Sequence, residues 1–114
     1  MHENDSSLKN LLGFIGLCRR AGHVICGTPL ICLALGKRPK PQLVLYAEGA
    51  SAATRKKLES KCSFYDVCIQ MLAISPAVLA NTVGKGGNLA AIAITDSGFA
   101  EAILKKMADI SSSS

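Results

Sequence analysis

The run LAAIAI at residues 89–94 follows the glycine-rich turn Gly84-Lys85-Gly86-Gly87-Asn88 and runs into Thr95-Asp96, a pair suited to capping a helix. A half-exposed strand would alternate apolar and polar residues, and a membrane helix would need about 18–20 apolar ones. Six apolar residues between a turn and a cap therefore read as a strand covered on both faces. LVLYA at Leu43–Ala47 has the same character. Outward from these two strands the pattern alternates. Phe99, Ile103 and Met107 stand four apart after Asp96, which predicts a last helix. Ser75-Pro76 places a capping residue before a proline and opens a helix that stops at Gly84. Residues 67–72 form another strand. Gly49-Ala50-Ser51 turns the chain into a helix over 52–62, with Thr54, Leu58 and Cys62 as its inner stripe and basic residues elsewhere.

Pro39-Lys40-Pro41 ends a preceding helix that starts with Thr28 as cap and Pro29 as first residue and reaches about Lys37. No polar side chain occurs from Pro29 to Leu35, so this helix is expected to be buried around most of its circumference. A very short strand covers 24–26. A first helix, 8–20, carries Leu8, Leu11, Leu12, Ile15 and Cys18 at helical spacing and stops at Ala21-Gly22. The order α-β-α-β-α-β-α-β-α predicts an α/β sandwich with helices on both faces of a central sheet. One domain is expected over 8–108, with flexible tails at 1–7 and 109–114.

Composition sets further bounds. The chain has 114 residues, 49% hydrophobic and only 18% charged, which excludes intrinsic disorder. Thirteen Lys and Arg against eight Asp and Glu give +5 and favour an anionic partner, nucleic acid first. Five cysteines, at 18, 26, 32, 62 and 68, form no C-x-x-C pair and sit among apolar neighbours, so they are expected to be small buried hydrophobes. Free thiols and a polar segment 1–7 without a leader pattern point to the cytoplasm.

Catalytic constellations are missing. Gly84-Lys85 resembles the end of a phosphate-binding loop, but Leu79 stands where its first glycine belongs and Gly86 where its Ser or Thr belongs. His23 has no obvious carboxylate to orient it and reads as a turn histidine. No metal-ligand spacing and no cofactor fingerprint occur, so the chain reads as a non-enzyme. The cations are better organised: Arg19-Arg20, Lys37-Arg38 with Lys40, Arg55-Lys56-Lys57 with Lys61, Lys85, and Lys105-Lys106. Two places suit an anion. Lys85 lies in a glycine turn whose N–H groups are expected to be free, and Gly27-Thr28-Pro29 exposes the start of a helix. Only Phe14, Tyr46, Phe64, Tyr65 and Phe99 are aromatic, and they show no stacking signature, so recognition is expected through shape, phosphate and groove contacts.

Five segments in order resemble one known family: residues 16–22 (GLCRRAG) with Gly27, 43–51 (LVLYAEGAS), Lys61-Cys62 leading to Tyr65-Asp66-Val67, Val83-Gly84-Lys85, and 91–100 (AIAITDSGFA). They are similar to the ribosomal-protein-like kink-turn RNA-binding family of the L-seven-Ae/L-thirty-e type, and within it to the bacterial YlxQ-like branch. The resemblance implies a three-layer α-β-α sandwich with a four-stranded mixed central sheet. It implies structured RNA, ribosomal in kind, as partner, with ribosome- or translation-associated proteins beside it. Its RNA surface carries over to Gly27 and Thr28 and to Val83, Gly84 and Lys85. Lys37 and Arg38 are expected to neutralise phosphates, with Arg19, Arg20 and His23 extending the patch. The sequence departs from the family where Pro29, Leu30 and Leu33 replace the polar and basic residues that read bases. Leucine makes no hydrogen bond to a base edge, so direct readout is lost there. The same apolar helix end leaves a protein-interaction module as the alternative. An enzyme, or an isolated substrate-binding domain of the kind attached to some RNA methyltransferases, is a third.

Overall fold

The computed structural model describes residues 2–112, with side chains described for 6–111. Its elements are α1 (His2–Arg20), β1 (Val24–Cys26), α2 (Thr28–Leu35), β2 (Leu43–Ala47), α3 (Ala52–Tyr65), β3 (Cys68–Leu72), α4 (Pro76–Thr82), β4 (Ala91–Ile94) and α5 (Ser97–Ser112). The sheet order is β1-β4-β2-β3. β4 is antiparallel to both its neighbours, and β2 and β3 are parallel. The chain thus folds as the expected three-layer sandwich on a four-stranded mixed sheet.

Side-chain alternation along the central strands builds the two cores. Leu43, Leu45 and Ala47 of β2 and Ile92 and Ile94 of β4 face one side, with Leu11, Ile15 and Cys18 of α1, Leu79 of α4 and Ile103 of α5. Val44, Ala91 and Ala93 face the other side, with Ile31 and Leu35 of α2 and Leu58 and Cys62 of α3. All of β4 is buried, which is why its sequence is apolar without a break. β3 is an edge strand and departs from that rule, with Cys68, Gln70 and Met71 exposed.

The caps follow the sequence at three of four helices. Ser51 Oγ accepts from the Thr54 amide at 3.1 Å, Ser75 Oγ from the Val78 amide at 3.2 Å, and Asp96 Oδ2 from the Phe99 amide at 2.9 Å. At α2 the expectation fails by one residue. Gly27 is the N-cap, Thr28 is the first helical residue, and no side chain caps the helix.

Three further expectations are corrected. α2 is not buried around its circumference: only Ile31 and Leu35 are fully inside, while Leu30 is 57% and Leu33 61% exposed. The helix packs Ile31 and Leu35 against one face of the sheet and turns Leu30 and Leu33 outward. The segments expected as flexible tails are largely helical, α1 beginning at His2 and α5 running to Ser112. Leu8 and Ile110 pack half-buried against the core and carry each helix past the predicted ends, since propagation costs little once a helix is nucleated. Residues 1, 113 and 114 lie outside the described residues. Cys18 and Cys62 are buried as expected, but Cys68 is exposed. Burial pushes the Cys62 thiol up to about 11, aided by Cys32 and Cys68, and raises Cys18 as well. Both are thiols at neutral pH and supply no nucleophile.

Candidate nucleic-acid interface

Strand direction gathers the helix starts. β1, β2 and β3 all run the same way, because β4 is antiparallel to β1 and β2 and β3 is parallel to β2. Each is followed by a helix, so α2, α3 and α4 all begin at one edge of the sheet, which carries three positive dipole ends. Ser51 and Ser75 cap two of them; α2 is left open.

Gly27 makes that opening. Its amide donates to the Ala91 carbonyl at 3.1 Å, and its carbonyl accepts from Ile31 at 3.0 Å. The residue extends β1 and starts α2 at once, with φ 99° and ψ 138°. Among the described residues the amides of Thr28 and Leu30 have no acceptor, and Pro29 has no amide to satisfy. A side chain at Gly27 meets no atom within 4 Å, so substitution acts through backbone strain alone. We expect Gly27→Ala to destabilise by about 1–3 kcal/mol. Gly13→Ala, equally open but inside α1, should stabilise by roughly 0.5–1 kcal/mol. Chemical denaturation of both variants checks the opposite signs; a neutral Gly27→Ala would reject the strained cap.

The glycine turn is organised differently from the expectation. The Gly84 amide donates to Asn81 at 3.1 Å and the Lys85 amide to Ala80 at 2.8 Å, closing the end of α4. Neither amide is free for a phosphate. Val83 is 5% exposed and packs into the core. The amides of Gly86, Gly87 and Asn88 donate to no carbonyl among the described residues. Gly84 and Gly87 take φ of 75° and 74°, which lets the loop fold back until Leu89 donates to Pro76 and the chain enters β4 opposite Gly27.

A methyl group on Gly16 would lie 3.3 Å from the Thr82 carbonyl and 3.9 Å from Arg20 Nη1. Gly16, one turn before Arg20 on α1, therefore packs on the last turn of α4, the turn that Gly84 and Lys85 follow. Gly27 is tied to the strand that follows this loop through its bond to Ala91. Arg19 lies half-buried, its Nε inaccessible and without a hydrogen-bond partner. Lys37 and Arg38 follow the far end of α2, whose eight residues span about 12 Å. His23 is also elsewhere. It sits at the start of β1, with Nδ1 3.3 Å from Thr95 Oγ1 and its ring edge-on to Phe99 at 5.4 Å. Among the described residues no basic side chain forms an ion pair. Among them no group of His, Cys, Asp and Glu could hold a metal ion, and no helix is long and apolar enough to cross a membrane.

The sequence reading missed Phe64, which is 80% exposed at the end of α3. Nothing in its local pattern marks it, because its neighbours on α2 are distant in sequence.

No family model matches the chain. It is 36% identical over 90 residues to RNA-binding protein YlxQ of Bacillus subtilis (strain 168), covering 79% of this chain and 87% of that protein. It is 32% identical over 99 residues to RNA-binding protein YlxQ of Enterococcus faecium, covering 86% and 91%. A protein of unknown function from Bacillus halodurans C has a similar structure, with TM-score 0.77, 25% identity, and 84% and 94% of the two chains covered. The Giardia lamblia 15.5kD RNA binding protein shares the fold, with TM-score 0.73, 14% identity, and coverage of 96% and 89%.

Proposed function

The chain belongs to the YlxQ family, and from that membership and the geometry of the sheet edge we propose that it binds structured RNA, ribosomal in kind, as a non-enzymatic cytoplasmic protein of the translation machinery. The observation that carries this reading is a set of open backbone donors together with unpaired cations. The start of α2 is uncapped, the amides of Gly86, Gly87 and Asn88 donate to no carbonyl among the described residues, and Arg20 and Lys85 have no carboxylate partner there. Amides and cations of this kind hold phosphate oxygens. Pro29, Leu30 and Leu33 are exposed and offer no side-chain donor or acceptor, so the surface grips backbone and shape rather than base edges. A kink-turn suits it through its widened groove, with less dependence on the paired bases than in relatives with polar readers.

The test is a titration of a kink-turn duplex and an unkinked control at 50 and 200 mM salt. Two phosphates neutralised by Arg20 and Lys85 make affinity fall about tenfold over that range. The kinked duplex should bind more tightly. Equal affinity removes kink recognition, and no binding at 50 mM removes the RNA reading. A second reading, a protein-interaction module, is favoured by one observation, the exposed Pro29, Leu30 and Leu33 on α2. Partners retained after nuclease treatment would support it.

A further inference from the structure

A concave site lies at the other end of α2, where that helix and α3 both terminate. It is a cavity of about 250 Å³ lined by Leu35, Gly36, Lys37, Arg38, Lys40, Phe64 and Tyr65. That is below the roughly 300–1,000 Å³ of pockets for drug-sized ligands and suits a single planar fragment. Its wall is aromatic: Phe64 stands edge-on to Tyr65 with ring centroids 4.8 Å apart, and four-fifths of Phe64 faces solvent. Gly36 keeps it open, since even a methyl group there would come within 3.3 Å of Tyr65 Oη. Three cations and no carboxylate line it. Lys40 Nζ donates to the Tyr65 carbonyl and answers the negative end of α3. Lys37 and Arg38 hold no carboxylate among the described residues.

An isolated exposed phenylalanine would be unremarked surface. Here it lines a cavity together with Lys37 and Arg38, two cations that hold no carboxylate among the described residues, the combination by which proteins hold an unpaired base and its phosphates. We propose that this cavity is a second nucleic-acid contact, taking an unpaired base of a single-stranded segment against Phe64 while Lys37 and Arg38 hold the adjoining phosphates. The proposal rests on the RNA-binding reading and extends it: the partner would carry a single-stranded stretch next to the structured part. It also gives Lys37 and Arg38 a role at a place about one helix length from Gly27.

The probe is a single-stranded RNA hexamer with one 2-aminopurine, titrated with the full chain at 50 mM salt. Wild type should quench the fluorophore by stacking. Phe64→Ala should abolish the quenching and weaken binding about five- to a hundredfold, and Phe64→Tyr should keep both. Lys37→Gln with Arg38→Gln should weaken binding and flatten the slope of log affinity against log salt by about 1.4 at most, about 0.7 for each single-strand phosphate released. The unkinked duplex and the kink-turn duplex, both without single-stranded tails, should bind the Phe64→Ala chain as they bind wild type. If Phe64→Ala binds and quenches the hexamer as wild type does while the kink-turn duplex still binds, the second contact is overturned and the RNA reading stands. If wild type binds no RNA of either kind, both fall together.

Discussion

Replacing Leu45 by alanine should lower stability by about 2–5 kcal/mol, the largest single-residue effect expected in this chain. Leu45 is 0% exposed in β2, between β3 and β4. Its register partners are Ile92 and Gln70, and it faces the core shared by α1, α4 and α5. Strands on both sides are fixed by their ladders, so the site cannot collapse around the missing atoms. Domains are stable by about 5–15 kcal/mol in total, so a third of the stability would go. The midpoint of thermal unfolding, followed by circular dichroism, should fall by roughly 10–20 °C. Leu33→Ala, at 61% exposure, is the control and should stay within about 0.5 kcal/mol. A loss under 1 kcal/mol at Leu45 would contradict the packed sheet.

The largest effect on binding should come from Arg20→Gln combined with Lys85→Gln. Each neutralised phosphate contributes about 0.9 to the slope of log affinity against log salt. Extrapolated from 1 M, where this contribution vanishes, two contacts are worth about 200-fold at 50 mM and about 20-fold at 200 mM. The double variant should therefore bind the kink-turn duplex about 200-fold more weakly at the lower salt, with a slope shallower by about two. Both side chains lack ion pairs among the described residues, so unfolding should be nearly unchanged. A salt-independent loss would mean that the substitutions disturbed the fold instead. No loss would remove Arg20 and Lys85 from the interface.

Much of the architecture was legible because the local rules agree with it. LVLYA occupies β2 at both ends as read, and Ser75-Pro76 caps and opens α4. The errors came where a one-dimensional pattern carries no direction. An all-apolar α2 has no polar residue to mark its outer side, so its exposed Leu30 and Leu33 looked buried. Leu89 reads as strand, yet its amide is bonded to Pro76 in the loop that precedes β4. Glycines 84, 86 and 87 predict a turn, but not that the first two turn amides close α4. Of the candidate site, the helix opening at Gly27 and Thr28 and the glycine turn at 84–88 were legible in their own residues, whereas Lys37 and Arg38 depend on where α2 ends, and Phe64 on the packing of α3 against it.

The absence of internal ion pairs among the described residues has a practical consequence. Cohesion of this molecule comes from apolar packing and backbone hydrogen bonds, neither of which ordinary salt screens, while its attraction for polyanions is all outward-facing charge. Ionic strength therefore becomes a selective handle. Nucleic acid carried along from a cell extract can be washed off the immobilised protein with concentrated chloride, and the protein left on the column is still native.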